Sequence, residues 1–252
     1  MDTVTTLEVI ELLARGGTRV IVISGGEPTL LTDLPVILSA IKAKGIRSVL
    51  STNGLLLART MDQVLPMIDW LALPIESADH TLNSRLRTSP PNYFSYIRDL
   101  ILTVRQRYPD VRIKLGTVVT RVNRTSVASI PTALGKEALP DVWKLYEFSA
   151  TNYGYDNQLL LTPSVTEFRS TVQAARRIAE EHCLPLVVYS NAERDGKYLF
   201  VDPTGQALVI AAGDEVPIGS IVNEPQLVAD TWPKYVDERR LEANVLSTYP
   251  LT

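Results

Sequence analysis

Val20-Ile21-Val22-Ile23 is an unbroken run of β-branched apolar residues, and it stops abruptly at Ser24-Gly25-Gly26-Glu27-Pro28. Such a run, closed by glycines, suits a strand covered on both faces, the kind found in parallel sheets under helices. The ends of strands of this kind are where α/β enzymes keep their chemistry. Gly25 and Gly26 leave the backbone bare, so that a ligand can reach N–H and C=O groups directly. Glu27 adds one carboxylate, and Pro28 stiffens the exit. The plain alternative is a strand-to-helix turn with no ligand.

The rest of the chain repeats the same grammar. A helical period over Thr5–Ala14 precedes the first strand, and Leu34–Lys44 follows it with Leu34, Ile37, Leu38 and Ile41 on one face. Strands are expected at 47–51, 69–75, 111–119 and 141–149. Helices are expected near 57–66, at 93–108, at 124–134 with Asn123 as its cap, and at 164–182. Strand and helix alternating at spacings of roughly 20 to 35 residues predicts parallel strands joined by right-handed crossovers. The expected class is α/β, an incomplete open (β/α) TIM-type barrel of about six parallel strands occupying residues 1–184. From Leu186 the pattern changes to short strands at 186–189, 198–201, 207–210 and 218–222, with Asp202-Pro203-Thr204-Gly205 as a hairpin turn. Residues 185–252 are therefore expected to form an antiparallel extension on the sheet edge, with a short helix and a loose end after 233.

Composition narrows the function. A net charge of −3, from 25 basic and 28 acidic residues, gives no broad pull toward nucleic acid or an anionic membrane. A small molecule or a peptide fits better. No run of 18 apolar residues and no basic-then-apolar N-terminus occurs, so the expectation is a cytoplasmic protein with no membrane span. The single cysteine, Cys183, can make no internal disulfide and cannot supply the several thiolates of an iron–sulfur cluster. His80 and His182 belong to no metal spacing, so no metal ligands are assigned.

Polar residues gather at the expected strand ends: Ser24 to Glu27, Ser51 to Asn53, Glu76 and Ser77, Lys114 with Thr117, and Glu147 with Ser149. Gly25-Gly26-Glu27-Pro28 resembles the GGEP segment of radical S-adenosylmethionine (SAM) enzymes. Ser51-Thr52-Asn53-Gly54 resembles their third-strand turn, and Trp70 to Ser77 resembles their fourth strand. The resemblance covers residues 1 to about 222 and is nearest the viperin-like and cofactor-maturation branch. It implies SAM as cofactor, with Gly25, Gly26, Glu27 and Pro28 around the methionine amino group, Ser51 and Asn53 near the sulfonium or carboxylate, and Glu76 toward the ribose. Arg85 or Arg87 could hold the SAM carboxylate or a substrate phosphate through two-pronged donor geometry, or could be solvated loop charges. Lys114, Glu147 and Tyr153 are the candidate substrate contacts, although Lys114 could extend to solvent and Glu147 could simply pair with it. No catalytic residue is assigned.

The family also implies a [4Fe-4S] cluster held by a Cys-x3-Cys-x2-Cys loop, and the chain has no such motif. The expectation is the C-terminal part of a longer enzyme, Met1 being an internal methionine or a misassigned start. By itself such a chain should not cleave SAM reductively, and its first strand should be an exposed edge open to self-association. The second reading is a SAM-binding chain without radical activity, and a barrel enzyme of another class is the third.

Overall fold

The computed structural model describes residues 1–87, 89–150, 152–193, 195–236 and 248–249. Helices α1 (Thr3–Arg15), α2 (Leu34–Ala43), α3 (Met61–Val64), α4 (His80–Leu86), α5 (Tyr93–Arg107), α6 (Ile130–Leu134), α7 (Gln158–Leu161) and α8 (Val165–Glu181) are interleaved with six strands. These are β1 (Val20–Ile23), β2 (Arg47–Ser51), β3 (Trp70–Pro74), β4 (Arg112–Val119), β5 (Val142–Glu147) and β6 (Leu186–Tyr189). They form one parallel sheet in sequence order, with β1 and β6 at its two ends. That is the expected open (β/α) arrangement, six strands where a closed barrel has eight. Three antiparallel strands, β7 (Phe200–Val201), β8 (Gln206–Ala211) and β9 (Asp214–Ser220), make a separate sheet, followed by α9 (Pro225–Thr231). No helix among the described residues is long and apolar enough to cross a membrane.

The chain divides into two compact units. One contains Met1–Val49, Asp62–Ile68 and the chain from Ala192 onward; the other contains Leu50–Met61 and Asp69–Asn191.

In the first unit α1 is two-faced. Asp2 caps it by accepting from the Thr5 N–H at 2.8 Å. Leu7, Ile10 and Ala14 pack with Ile37 and Ile41 of α2, Ile46, and Ile21 and Ile23 of β1. Val9, Leu12 and Leu13 pack instead with Ala207, Val209, Ile218, Ile221 and Val228. The antiparallel extension thus sits on α1 and not on the sheet edge, because α1 offers a second apolar stripe for its inner face. The Asp202–Gly205 turn forms as expected, with Asp202 Oδ1 accepting from the Thr204 and Gln206 N–H groups and Gly205 at φ +86°. The helix and loose end expected from 233 lie mostly outside the described residues; α9 comes earlier.

In the second unit the pairs β3–β4, β4–β5 and β5–β6 are all parallel and place residues of equal parity side by side. One face carries Leu71, Leu73, Ile113, Leu115, Trp143 and Leu145, all buried. α8 begins at a capping box of Ser164 and Glu167 and buries Phe168, Thr171, Ala175 and Ala179 at helical spacing. Leu186–Tyr189, expected to open the antiparallel tail, instead pairs parallel to β5, since the 17-residue α8 is a crossover of the length a parallel partner needs.

Candidate functional site

In the first unit β1 ends at Ile23, and Ser24, Gly25 and Gly26 are exposed. Gly25 has φ +119°, a conformation L side chains rarely adopt, and the space where its Cβ would stand is open. Glu27 is half-buried. Its Oε1 accepts from the Thr29 N–H at 3.1 Å and from Thr29 Oγ1 at 2.6 Å, so the carboxylate caps the short 3-10 turn Pro28–Leu30. The capping role of an ordinary turn is therefore present. So are the features an ammonium ligand needs: a carboxylate of fixed orientation beside bare, accessible backbone.

The Thr52-Asn53-Gly54 turn that follows β2 in the second unit is braced from three sides. Thr52 Oγ1 accepts from the Gly54 N–H at 3.0 Å, and Asn53 Oδ1 accepts from the Leu55 N–H at 2.9 Å. The hydroxyls of Tyr93 and Tyr96 on α5 donate to the carbonyls of Asn53 and Gly54, at 2.7 and 2.8 Å. Gly54 is at φ +80° with Leu100, Ile97 and Leu73 packed where a Cβ would go. Ser51, the last residue of β2, is half-buried.

Glu76, just past β3, is 4% exposed. Its Oε1 accepts from Arg87 Nε at 2.9 Å and its Oε2 from the Val118 N–H at 2.6 Å. Burial pushes its pKa up, against the opposing pull of Arg87. Arg85 is exposed in the last turn of α4. Asn123 is not a helix cap. Its Oδ1 accepts from Thr120 N and Oγ1, while its Nδ2 donates to the carbonyls of Glu76 and Val118.

The other face of β4 to β6 is cationic and aromatic. Register puts Lys114, Gly116, Lys144, Tyr146, Val187 and Tyr189 on it together. Lys114 is 7% exposed and Lys144 is fully buried. Lys114 Nζ donates to the Tyr146 hydroxyl at 3.4 Å, reaching past Gly116, whose missing side chain leaves room for the Tyr146 ring. Lys144 Nζ stands 4.6 Å from the centre of the Tyr189 ring and 5.3 Å from that of Tyr146. Burial, then the charge on Lys144, pulls the Lys114 pKa down from 10.5 to about 7. Sequence reasoning found Lys114 and missed Lys144, Tyr146 and Tyr189. The signal was there as parity, Lys144 and Tyr146 being two apart, but pairing with β4 was needed to place them beside Lys114. Glu147 falls on the opposite parity from Lys114, and its Oε2 accepts from the Asn191 N–H at 2.8 Å. Thr117 also faces away from Lys114 and accepts from Trp143 Nε1 at 3.0 Å. Tyr153 lies in the 3-10 turn Asn152–Asn157, and its side chain falls outside the described residues.

Cys183 is exposed at the turn leaving α8, and no group of three His, Cys, Asp or Glu residues among the described ones could hold a metal ion. A [4Fe-4S] cluster does not fit the residues present. His182 Nε2 lies 3.3 Å from Thr132 Oγ1, and His80 meets Phe94 edge-on.

A model of the radical SAM superfamily matches residues 1–128. An S-adenosylmethionine-dependent nucleotide dehydratase of Lacinutrix mariniflava is 28% identical over 215 residues, which cover 82% of this chain and 43% of that protein. One from Flammeovirga pacifica is 28% identical over 206 residues, covering 80% of this chain and 68% of that protein. Among solved structures, Streptococcus suis SuiB bound to S-adenosylmethionine superposes with a TM-score of 0.70 at 14% identity, over 97% of this chain and 60% of that one. The chain thus spans less than half of the first relative and about two thirds of the second.

Proposed function

The chain belongs to the radical SAM superfamily, and from that membership we propose that it binds SAM at the β1 turn and takes an anionic substrate of the nucleotide class on the Lys114–Lys144 face. For SAM, the fixed Glu27 carboxylate and the accessible Gly25 and Gly26 backbone suit the methionine ammonium. Ser51 and Asn53 are proposed as further cofactor contacts on the family resemblance.

One observation carries the substrate half: Lys114 and Lys144 are buried on adjacent strands and the same face, flanked by Tyr146 and Tyr189. Two lysines side by side on one face match the charge of a polyphosphate, and the tyrosine rings beside them offer surfaces for a base. The names of two relatives support a nucleotide. Arg87 is a further proposed anion contact; Arg85 is exposed, and Glu147 accepts from the Asn191 N–H.

Reductive cleavage of SAM is the activity the family implies. With one cysteine the chain offers no cluster ligand set, and no step through a cluster is assigned to its residues. The same count favours the second reading, SAM binding without catalysis.

Titration calorimetry tests both halves. Glu27→Ala is expected to weaken SAM binding by about 1.5 to 3 kcal/mol, and Lys144→Met to weaken ATP, GTP, CTP and UTP by a similar amount, as loss of a charge-assisted contact should. Equal affinities in variant and parent remove the residue concerned from its site.

A further inference from the structure

Glu76 and Arg87 form a device in which one residue is occupied and the other is presented. Both Glu76 oxygens are engaged by protein donors, Arg87 Nε and the Val118 N–H. Its backbone is engaged too: the N–H groups of Glu76 and Ser77 donate to Asn83 Oδ1 at 3.0 and 3.3 Å, and the Glu76 carbonyl accepts from Asn123 Nδ2 at 2.8 Å. This carboxylate replaces a ladder partner where β3 leaves β4, since Ile75 still donates to the Gly116 carbonyl and Val118 turns to the side chain. Arg87 differs. Its side chain is 35% exposed, and among the described residues it is bonded only through Nε, so its Nη1–Nη2 edge stands clear of Glu76. Holding the loop this way leaves Asn83 Nδ2 buried without a hydrogen-bond partner, which is unfavourable. Natural chains tolerate such local costs mainly where function needs the geometry.

We propose that Glu76 is a positioning residue that does not touch the ligand, and that it holds Arg87 so that its Nη edge receives a ligand oxyanion, a carboxylate or a phosphate. The proposal rests on the SAM and nucleotide ligands proposed above, whose anionic groups are the two sources of such an oxyanion. Arg87, at the end of α4, is the charged group facing Glu76. The other elements against it offer neutral donors: Val118 N–H, Asn83 and Asn123. Because burial raises the Glu76 pKa, acidification protonates it, removes the ion pair and weakens oxyanion binding.

The test is calorimetry on the full chain with SAM, decarboxylated SAM and sodium tripolyphosphate as probes, for the parent, Glu76→Gln, Arg87→Ala and the double variant. Expected are a loss of about tenfold in Glu76→Gln, a larger loss in Arg87→Ala, and no further loss in the double variant. The acid-side weakening seen in the parent should vanish in both single variants. If preference for SAM over decarboxylated SAM disappears, the oxyanion is the carboxylate; if only tripolyphosphate weakens, it is a phosphate. Additive losses, or no loss in Glu76→Gln, overturn the positioning role while leaving the ligands standing. Binding of none of the probes by the parent overturns the ligands and the proposal together. Should Glu76→Gln fail to fold, the pH profile decides: acid-side weakening in the parent that is absent from Arg87→Ala supports the proposal, and a flat parent profile overturns it.

Discussion

Replacing Lys114 by methionine is expected to stabilise the protein at pH 6 and to do so much less at pH 10. Burial and the neighbouring Lys144 lower the Lys114 pKa from 10.5 to about 7. At about 1.36 kcal/mol for each pH unit of that depression, the folded chain carries a penalty of at most roughly 5 kcal/mol for keeping the ammonium. The sign follows from which state holds the proton more tightly. The unfolded chain does, so the penalty is complete below pH 7 and fades as pH rises from 7 toward 10.5. Methionine has similar length and no charge to desolvate; its losses include the 3.4 Å contact with the Tyr146 hydroxyl, worth about 1 kcal/mol. Allowing for solvent relaxation around the buried site, the net gain at pH 6 should be about 2 to 4 kcal/mol. Urea unfolding of parent and Lys114→Met at pH 6, 8 and 10 measures it. A gain that does not shrink with pH, or no gain at pH 6, would refute the argument that Lys114 is held as a strained cation. A stabilising substitution that also lowers nucleotide affinity is what a binding residue should show.

Two further outcomes follow from other parts of the molecule. Gly54→Ala combines a positive φ with contacts of 3.0 to 3.3 Å to Leu100, Ile97 and Leu73, and should cost about 2 to 4 kcal/mol. Gly45→Ala, at φ +67° in open space, should cost only about 1 kcal/mol, and equal costs in denaturant unfolding would show that packing at Gly54 is not tight. Anaerobic reconstitution with iron and sulfide should leave this chain, with its one cysteine, well short of four irons per molecule; a stoichiometric [4Fe-4S] spectrum would sink that expectation.

The division between sequence and structure can be drawn at particular residues. The β1 strand, its Gly-Gly-Glu-Pro end, the Asn53-Gly54 turn and the long helices were legible because β-branched runs, helical periodicity and turn residues act within a few positions of themselves. Cys183 alone was enough to exclude a cluster ligand set, since a residue count needs no fold. Tertiary structure decided what depends on partners distant in the chain. Leu186–Tyr189 has a strand composition either way, and only its bonding to β5 makes it parallel. Asn123 has the composition of a cap, yet the gap where β3 leaves β4 draws its amide across to Glu76. Glu76 reads from the sequence as a carboxylate at a strand end; that Arg87 and the Val118 N–H engage its two oxygens is decided by the fold. Lys144 reads as one polar position in an alternating strand; it becomes a buried cation beside Lys114 only when register aligns Gly116 with it. Local propensity is set by each residue and its near neighbours, whereas burial, charge coupling and the satisfaction of polar groups belong to pairs that only folding brings together.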